Sequence, residues 1–97
     1  MIIKWSPLSA ERLTDIVNHI SEDNPDAARK LASSILASIE KLTKFPKSGR
    51  IVPELGMPKY RENLVDNYRI IYSIIEDTIY VLTIRHQKQL LSSKDIK

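Results

Sequence analysis

Two amphipathic stretches separated by a stop-and-restart signal constrain this chain more than any other feature. Leu13, Ile16, Val17 and Ile20 recur at i, i+3, i+4 and i+7, so they share one face of a helix. Ser6-Pro7 precedes them, a capping side chain followed by proline at the first helical position. These signals predict a first helix from about Pro7 to Glu22. Asn24-Pro25-Asp26 then repeats the start signal, with an acidic residue near the positive end of the new helix dipole. Ala28, Leu31, Ile35, Ile39 and Leu42 mark the buried face of the second helix. Pro46 ends it, with Phe45 already biased towards an extended conformation. Helices joined by about two residues must fold back on each other, which makes a helical hairpin.

The second half has a different period. Lys47-Ser48-Gly49 reads as a turn, and Ile51 to Gly56, with Pro53 and Pro58 nearby, as a loop or weak strand. From Lys59 the chain becomes strand-like. Tyr68 to Ile75 is rich in isoleucine and tyrosine, Glu76-Asp77 marks a turn, and Ile79 to Arg85 is strand again. The tail from Gln87 is polar apart from Leu90, Leu91 and Ile96, and reads as a short helix or as disordered. Ile2 to Trp5 is a short β-type run. The expected fold class is α+β: a short N-terminal strand, a two-helix hairpin and an antiparallel β meander, with the helices across one sheet face. The 97 residues are expected to form one domain, 1–97. Trp5 and Phe45 are expected in its core, and His19 on its surface.

Charge and composition narrow the function classes. Residues 1–45 hold six basic and six acidic residues, and residues 46–97 hold nine and six. The whole excess of three positive charges therefore lies in the second half, which suits RNA, DNA or an acidic protein. The absence of cysteine excludes a disulfide framework and a thiolate metal site. Two distant histidines give no metal-ligand spacing, so no metal and no cofactor are expected. No apolar run approaches membrane-spanning length, and a cytoplasmic location without membrane contact is expected.

Several strings, in order, resemble the RelE/ParE toxin superfamily. They are Asn24-Pro25-Asp26-Ala27-Ala28, Phe45-Pro46-Lys47-Ser48-Gly49-Arg50, Val52-Pro53-Glu54, Tyr60-Arg61-Glu62, Tyr68-Arg69-Ile70-Ile71-Tyr72 and Ile84-Arg85-His86. The resemblance spans Ile2 to about Lys88. It implies the toxin of a type II toxin–antitoxin pair, of the plasmid-stabilisation type, neutralised by a cognate antitoxin encoded beside it. One branch of the family cleaves messenger RNA, commonly on the ribosome. The ParE branch poisons DNA gyrase with no established nuclease activity, and the helix strings here look more like that side. The first expectation from sequence is a growth inhibitor that cleaves mRNA on the ribosome without a metal. The alternatives are a gyrase inhibitor, or a degenerate member that only binds an antitoxin.

Metal-free RNA cleavage needs a base for the 2′-hydroxyl, a cation for the phosphorane and an acid for the leaving oxygen. Arg69, inside an otherwise apolar strand, suits the phosphate. The resemblance implies that role, because nucleolytic members place an arginine there. An ion pair with Glu54, Glu62 or Asp66 is the alternative. His86, at the end of the last strand, suits the acid. Glu54, on the loop between Arg50 and Arg61, suits the base. Arg50, Arg61 and Arg85 are candidates for backbone phosphates or for the target, and otherwise partners of an acidic antitoxin segment. No tyrosine follows Tyr80, so the C-terminal tyrosine acid used by some family nucleases is missing. A two-residue turn at Glu76-Asp77 would set Arg69 opposite Ile84 and put Arg69 and His86 on one sheet face, with Arg85 on the other.

Overall fold

The computed structural model describes residues 1–96. Strand β1 (Ile2–Trp5) leads into helix α1 (Pro7–Asp23) and helix α2 (Pro25–Lys41). Strands β2 (Arg50–Ile51), β3 (Tyr60–Val65), β4 (Tyr68–Ile75) and β5 (Thr78–His86) follow, and a short helix α3 (Ser93–Ile96) closes the chain. The sheet order is β1-β5-β4-β3-β2, antiparallel except that β1 lies parallel to β5. The expected α+β architecture is therefore the observed one.

Both helix starts are capped as the sequence requires. The Ser6 side chain accepts the Ser9 N–H at 3.0 Å, and Asn24 Oδ1 accepts the Ala27 N–H at 3.1 Å. Each proline follows its cap, where a missing N–H costs nothing. The one residue between the helices, Asn24, both ends α1 and caps α2. All five apolar positions expected of the second helix are buried: Ala28, Leu31, Ile35, Ile39 and Leu42. Leu31, Ile35 and Ile39 pack on Ile70, Val81 and Ile84 of the sheet, with Leu13, Ile16 and Ile20 of α1 and Trp5 closing round them. Burial of this face is the main driving force for the fold.

Phe45 departs from expectation: it is 64% exposed, not in the core. The chain turns at Pro46 before the ring can fold back, and buried Tyr72 holds that turn from below. Its hydroxyl donates to the Pro46 carbonyl at 2.8 Å and accepts the Gly49 N–H at 3.1 Å.

The β4–β5 turn has the expected two residues, with Ile75 opposite Thr78. The register then holds only as far as Tyr72 opposite Val81. Leu82 is an extra residue, and beyond it Ile71 faces Thr83, Ile70 faces Ile84, Arg69 faces Arg85 and Tyr68 faces His86. The bulge has a visible anchor: Ser6 Oγ donates to the Leu82 carbonyl at 2.7 Å, and the Ser6 N–H donates to Val81 O at 2.9 Å. One inserted residue reverses the expected facing. Arg69 and Arg85 share the sheet face away from the long helices, while His86 and Tyr68 lie on the helix-packed face.

Candidate functional site

Arg69 sits at the centre of the open sheet face and is 4% exposed. Neighbouring β3 places Glu62, fully buried, on the same face. The loop after β2 brings in Glu54, and the tail after β5 crosses above. Arg69 Nε donates to Glu62 Oε1 at 2.7 Å, and Nη2 lies 2.7 Å from the same oxygen. Nη1 and Nη2 grip the two oxygens of Glu54 at 2.8 and 2.7 Å, a forked pair. Nη1 also donates to the Gln89 carbonyl at 2.9 Å. Every guanidinium nitrogen therefore has a partner within the protein. Of the three carboxylates weighed as partners for Arg69, Glu54 and Glu62 hold it; Asp66 lies in the β3–β4 turn with φ of 51°.

The electrostatics follow from this packing. The hydrogen bonds from Arg69 draw the Glu54 carboxyl down to about 2, against the opposing effect of burial, and the Leu91 N–H contributes at 3.2 Å. Its two carboxylate partners raise Arg69 above the ordinary arginine value. Arg50 Nε reaches the second oxygen of Glu62 at 2.6 Å, so this buried carboxylate bridges two arginines.

The tail is an ordered strap. Asp95 caps the start of α3, with the Ser92 N–H and Oγ both donating to Asp95 Oδ2 at 2.8 and 3.0 Å. Asp95, 1% exposed, also accepts from Thr83 Oγ1 at 2.9 Å and from Arg85 at 2.9–3.2 Å, and pairs with Arg12 at 3.1 Å. Burial alone would raise this carboxyl, but these donors outweigh it and hold it well below the usual range. Sequence reasoning missed Asp95, although the Ser-x-x-Asp spacing from Ser92 was a readable signal.

His86 stands apart from this network. It lines a cleft of about 230 Å³ with Arg12, Asp15, Ile16, Tyr68, Ile84 and Gln89. Its ring meets Tyr68 edge-on at 5.7 Å, and its Nδ1 accepts the Lys88 N–H at 3.3 Å. Arg61 turns away from the Arg69 cluster and donates to the carbonyls of Lys47 and Gly49 at 3.3 and 3.0 Å. The six residues singled out from sequence thus fall into separate settings. Glu54 pairs directly with Arg69, which Glu62 joins to Arg50, whereas Arg85 belongs to Asp95, Arg61 to the 47–49 turn and His86 to the opposite face.

Comparison with known proteins adds the family. The model of the ParE toxin of the type II toxin–antitoxin system, parDE, matches residues 3–91. This chain belongs to the ParE toxin family. A relative from Sinorhizobium fredii, "Putative toxin Y4kP", is 33% identical over 90 residues, covering 90% of this chain and 88% of that one. A solved structure, "Chromosomal ParDE TA system from P. aeruginosa", has the same fold, with a TM-score of 0.74 at 21% identity over 89% of this chain and 95% of that one. This ParE-family chain is accordingly a type II toxin, and the family supports a cognate antitoxin as its partner. Among the described residues no helix is long and apolar enough to cross a membrane.

Proposed function

We propose that this toxin acts by binding DNA gyrase and does not cleave RNA. The observation that carries the reading is the internal satisfaction of Arg69. A nuclease built on Arg69, Glu54 and His86 would need a free cation, a base with proton affinity near neutrality and an acid on the same face. Here the cation is held by two carboxylates and a carbonyl. The base titrates at about 2. The imidazole lies across the sheet. Releasing Arg69 to a phosphate would leave buried Glu62 with Arg50 alone, the breaking of a buried ion pair that costs several kcal/mol, about 3–5. The same cluster suits a structural role: it ties loop, sheet and tail into one rigid surface for a protein target. Membership of the ParE branch, which poisons gyrase, favours that target, and an antitoxin encoded beside the toxin would mask it.

A paired assay on the purified protein tests this. Gyrase supercoiling should be inhibited and gyrase–DNA cleavage complexes should accumulate, while translated mRNA stays intact. Site-specific mRNA cuts that vanish in Arg69→Ala, with supercoiling unaffected, would overturn the proposal and restore a nuclease.

A further inference from the structure

We propose that the groove between α2 and the outer edge of β3, with Phe45 at its mouth, is the docking site for an acidic segment of the cognate antitoxin. The inference rests on membership of a toxin–antitoxin family and is independent of the choice of gyrase as target.

The first observation is Phe45 itself. It is 64% exposed, while the other five aromatic residues are buried or half-buried. Its presentation is rigid. Tyr72 Oη and Arg61 together hold the carbonyls of Pro46, Lys47 and Gly49, and the Ser48 N–H donates to Phe45 O at 3.0 Å. Gly49 admits no side chain, since an added Cβ would lie 2.6 Å from Tyr72 Oη and 2.7 Å from the Glu62 carbonyl. A buried tyrosine and an arginine are thus committed to fixing a turn that holds a large apolar ring in water. An anchor fixed in advance loses little entropy on binding, which is how a hot-spot residue is expected to stand.

The second observation is the surface Phe45 adjoins. A groove of about 410 Å³ runs between Ser34, Ser38 and Lys41 on α2 and Asn63, Leu64 and Val65 on β3. Ser48 borders both this groove and an apolar hollow of about 390 Å³ at Phe45 and Pro46, so the two adjoin across that residue. Strand β2 pairs only with Arg61 and Glu62, which leaves β3 without a neighbour strand on its outer side from Asn63 onward. Leu64, 44% exposed, stands in that gap.

Charge identifies the occupant. Lys41 and Lys47 line the two hollows, with no carboxylate among the described lining residues, and the adjoining surface carries Lys44 beside a single carboxylate, Glu40, which leaves the region net basic. An acidic segment with one large apolar side chain for the Phe45–Pro46 hollow complements this surface. A nucleic acid fits less well. The hollow at Phe45 and Pro46 presents only apolar surface, which takes an apolar side chain and offers a phosphate backbone no donor. A narrow cleft between a helix and a strand edge admits a single segment of chain, which suits a flexible antitoxin arm better than the surface of a folded enzyme.

The test measures affinity for the purified antitoxin from the adjoining gene. Phe45→Ser should weaken binding about thirtyfold, with the melting temperature unchanged because the ring is exposed. A combined Lys41→Glu, Lys44→Glu and Lys47→Glu variant should slow association about tenfold at low salt, with the gap narrowing as salt rises. Ile75→Ser, at an exposed site on the hairpin end, should bind as wild type. Affinity of Phe45→Ser within twofold of wild type would overturn the site. So would lost toxicity with unchanged antitoxin affinity, which would assign the surface to the target. Displacement of antitoxin by a single-stranded RNA oligonucleotide, lost in the lysine variant, would assign it to nucleic acid instead. Failure of the wild-type chain to bind the antitoxin at all would remove the family-level partner, a result distinct from a Phe45 variant that binds normally.

Discussion

The β4–β5 hairpin is built in two halves that meet at Leu82, and they are held by different physics. In the half nearest the turn, Tyr72 faces Val81 and Ile74 faces Ile79, with Tyr72, Val81 and Ile79 fully buried. In the far half two arginines, Arg69 and Arg85, stand directly opposite each other. Like charges in that position destabilise a sheet. They are tolerated because each has carboxylates of its own: Glu54 and Glu62 for Arg69, Asp95 for Arg85. None of those carboxylates lies in the hairpin. Both halves pack on the helices, the far one through Ile70 and Ile84, but the other face of the far half is incomplete until a loop, a neighbouring strand and the tail have all arrived. The difference teaches that the open face here is an assembly of distant segments, which is why it resists reading as a catalytic surface.

The sharpest way to break this comparison is to remove Arg69. Arg69→Ala leaves Glu62 buried without its main partner and should cost about 3–5 kcal/mol in urea unfolding. The matching change in the near half, Ile79→Val, removes one buried methylene and should cost about 0.5–1.5 kcal/mol. Equal losses from the two variants would show that the charged half is no more dependent on its partners than the apolar half.

Acid should separate the halves next. Glu54 has a folded value of about 2 against an ordinary 4.5, and Asp95 is lowered as well. A depressed value means stabilisation that is complete above the unfolded pKa and lost as pH falls through the folded one. Stability should therefore fall from about pH 4.5 towards about pH 2 as these carboxyls take up protons. Ile79→Val should shift that curve down by a constant amount, because its defect carries no charge. Glu54→Gln should start lower and fall less steeply. A Glu54→Gln curve parallel to wild type would sink the assignment of acid sensitivity to this carboxylate.

Much of the fold was legible in the sequence, because periodicity and caps act locally. The five buried positions of α2 and both proline starts were written in residue spacing, and so was the two-residue turn at Glu76-Asp77. The site was less legible, for two physical reasons. A bulge leaves no compositional mark: Leu82 is as apolar as its neighbours, and what anchors it is Ser6, seventy-six positions earlier. Phe45 looks like core at the end of an amphipathic helix, yet its exposure is decided by a turn held by Tyr72 from the sheet. The partners of Arg69 were guessable from sequence; that all its nitrogens would be occupied depended on a backbone carbonyl in the tail.

The bulge offers the smallest and most local test. Ser6 Oγ accepts the Ser9 N–H that starts α1 and donates to the Leu82 carbonyl that ends the regular register. One side chain therefore joins the helix start to the point where the hairpin changes character. Ser6→Ala should cost about 1 kcal/mol, the typical loss of a helix cap. The cost should not be shared evenly. The Ser6 N–H still holds Val81, and the near half keeps its apolar packing, so amide exchange from Ser73 to Val81 should follow global stability alone. Thr83 to His86 should exchange faster than that global change explains, because the carbonyl beside them has lost its donor. Uniform acceleration along β5 would mean that Ser6 acts only as a cap and that the bulge is held by the ladder itself.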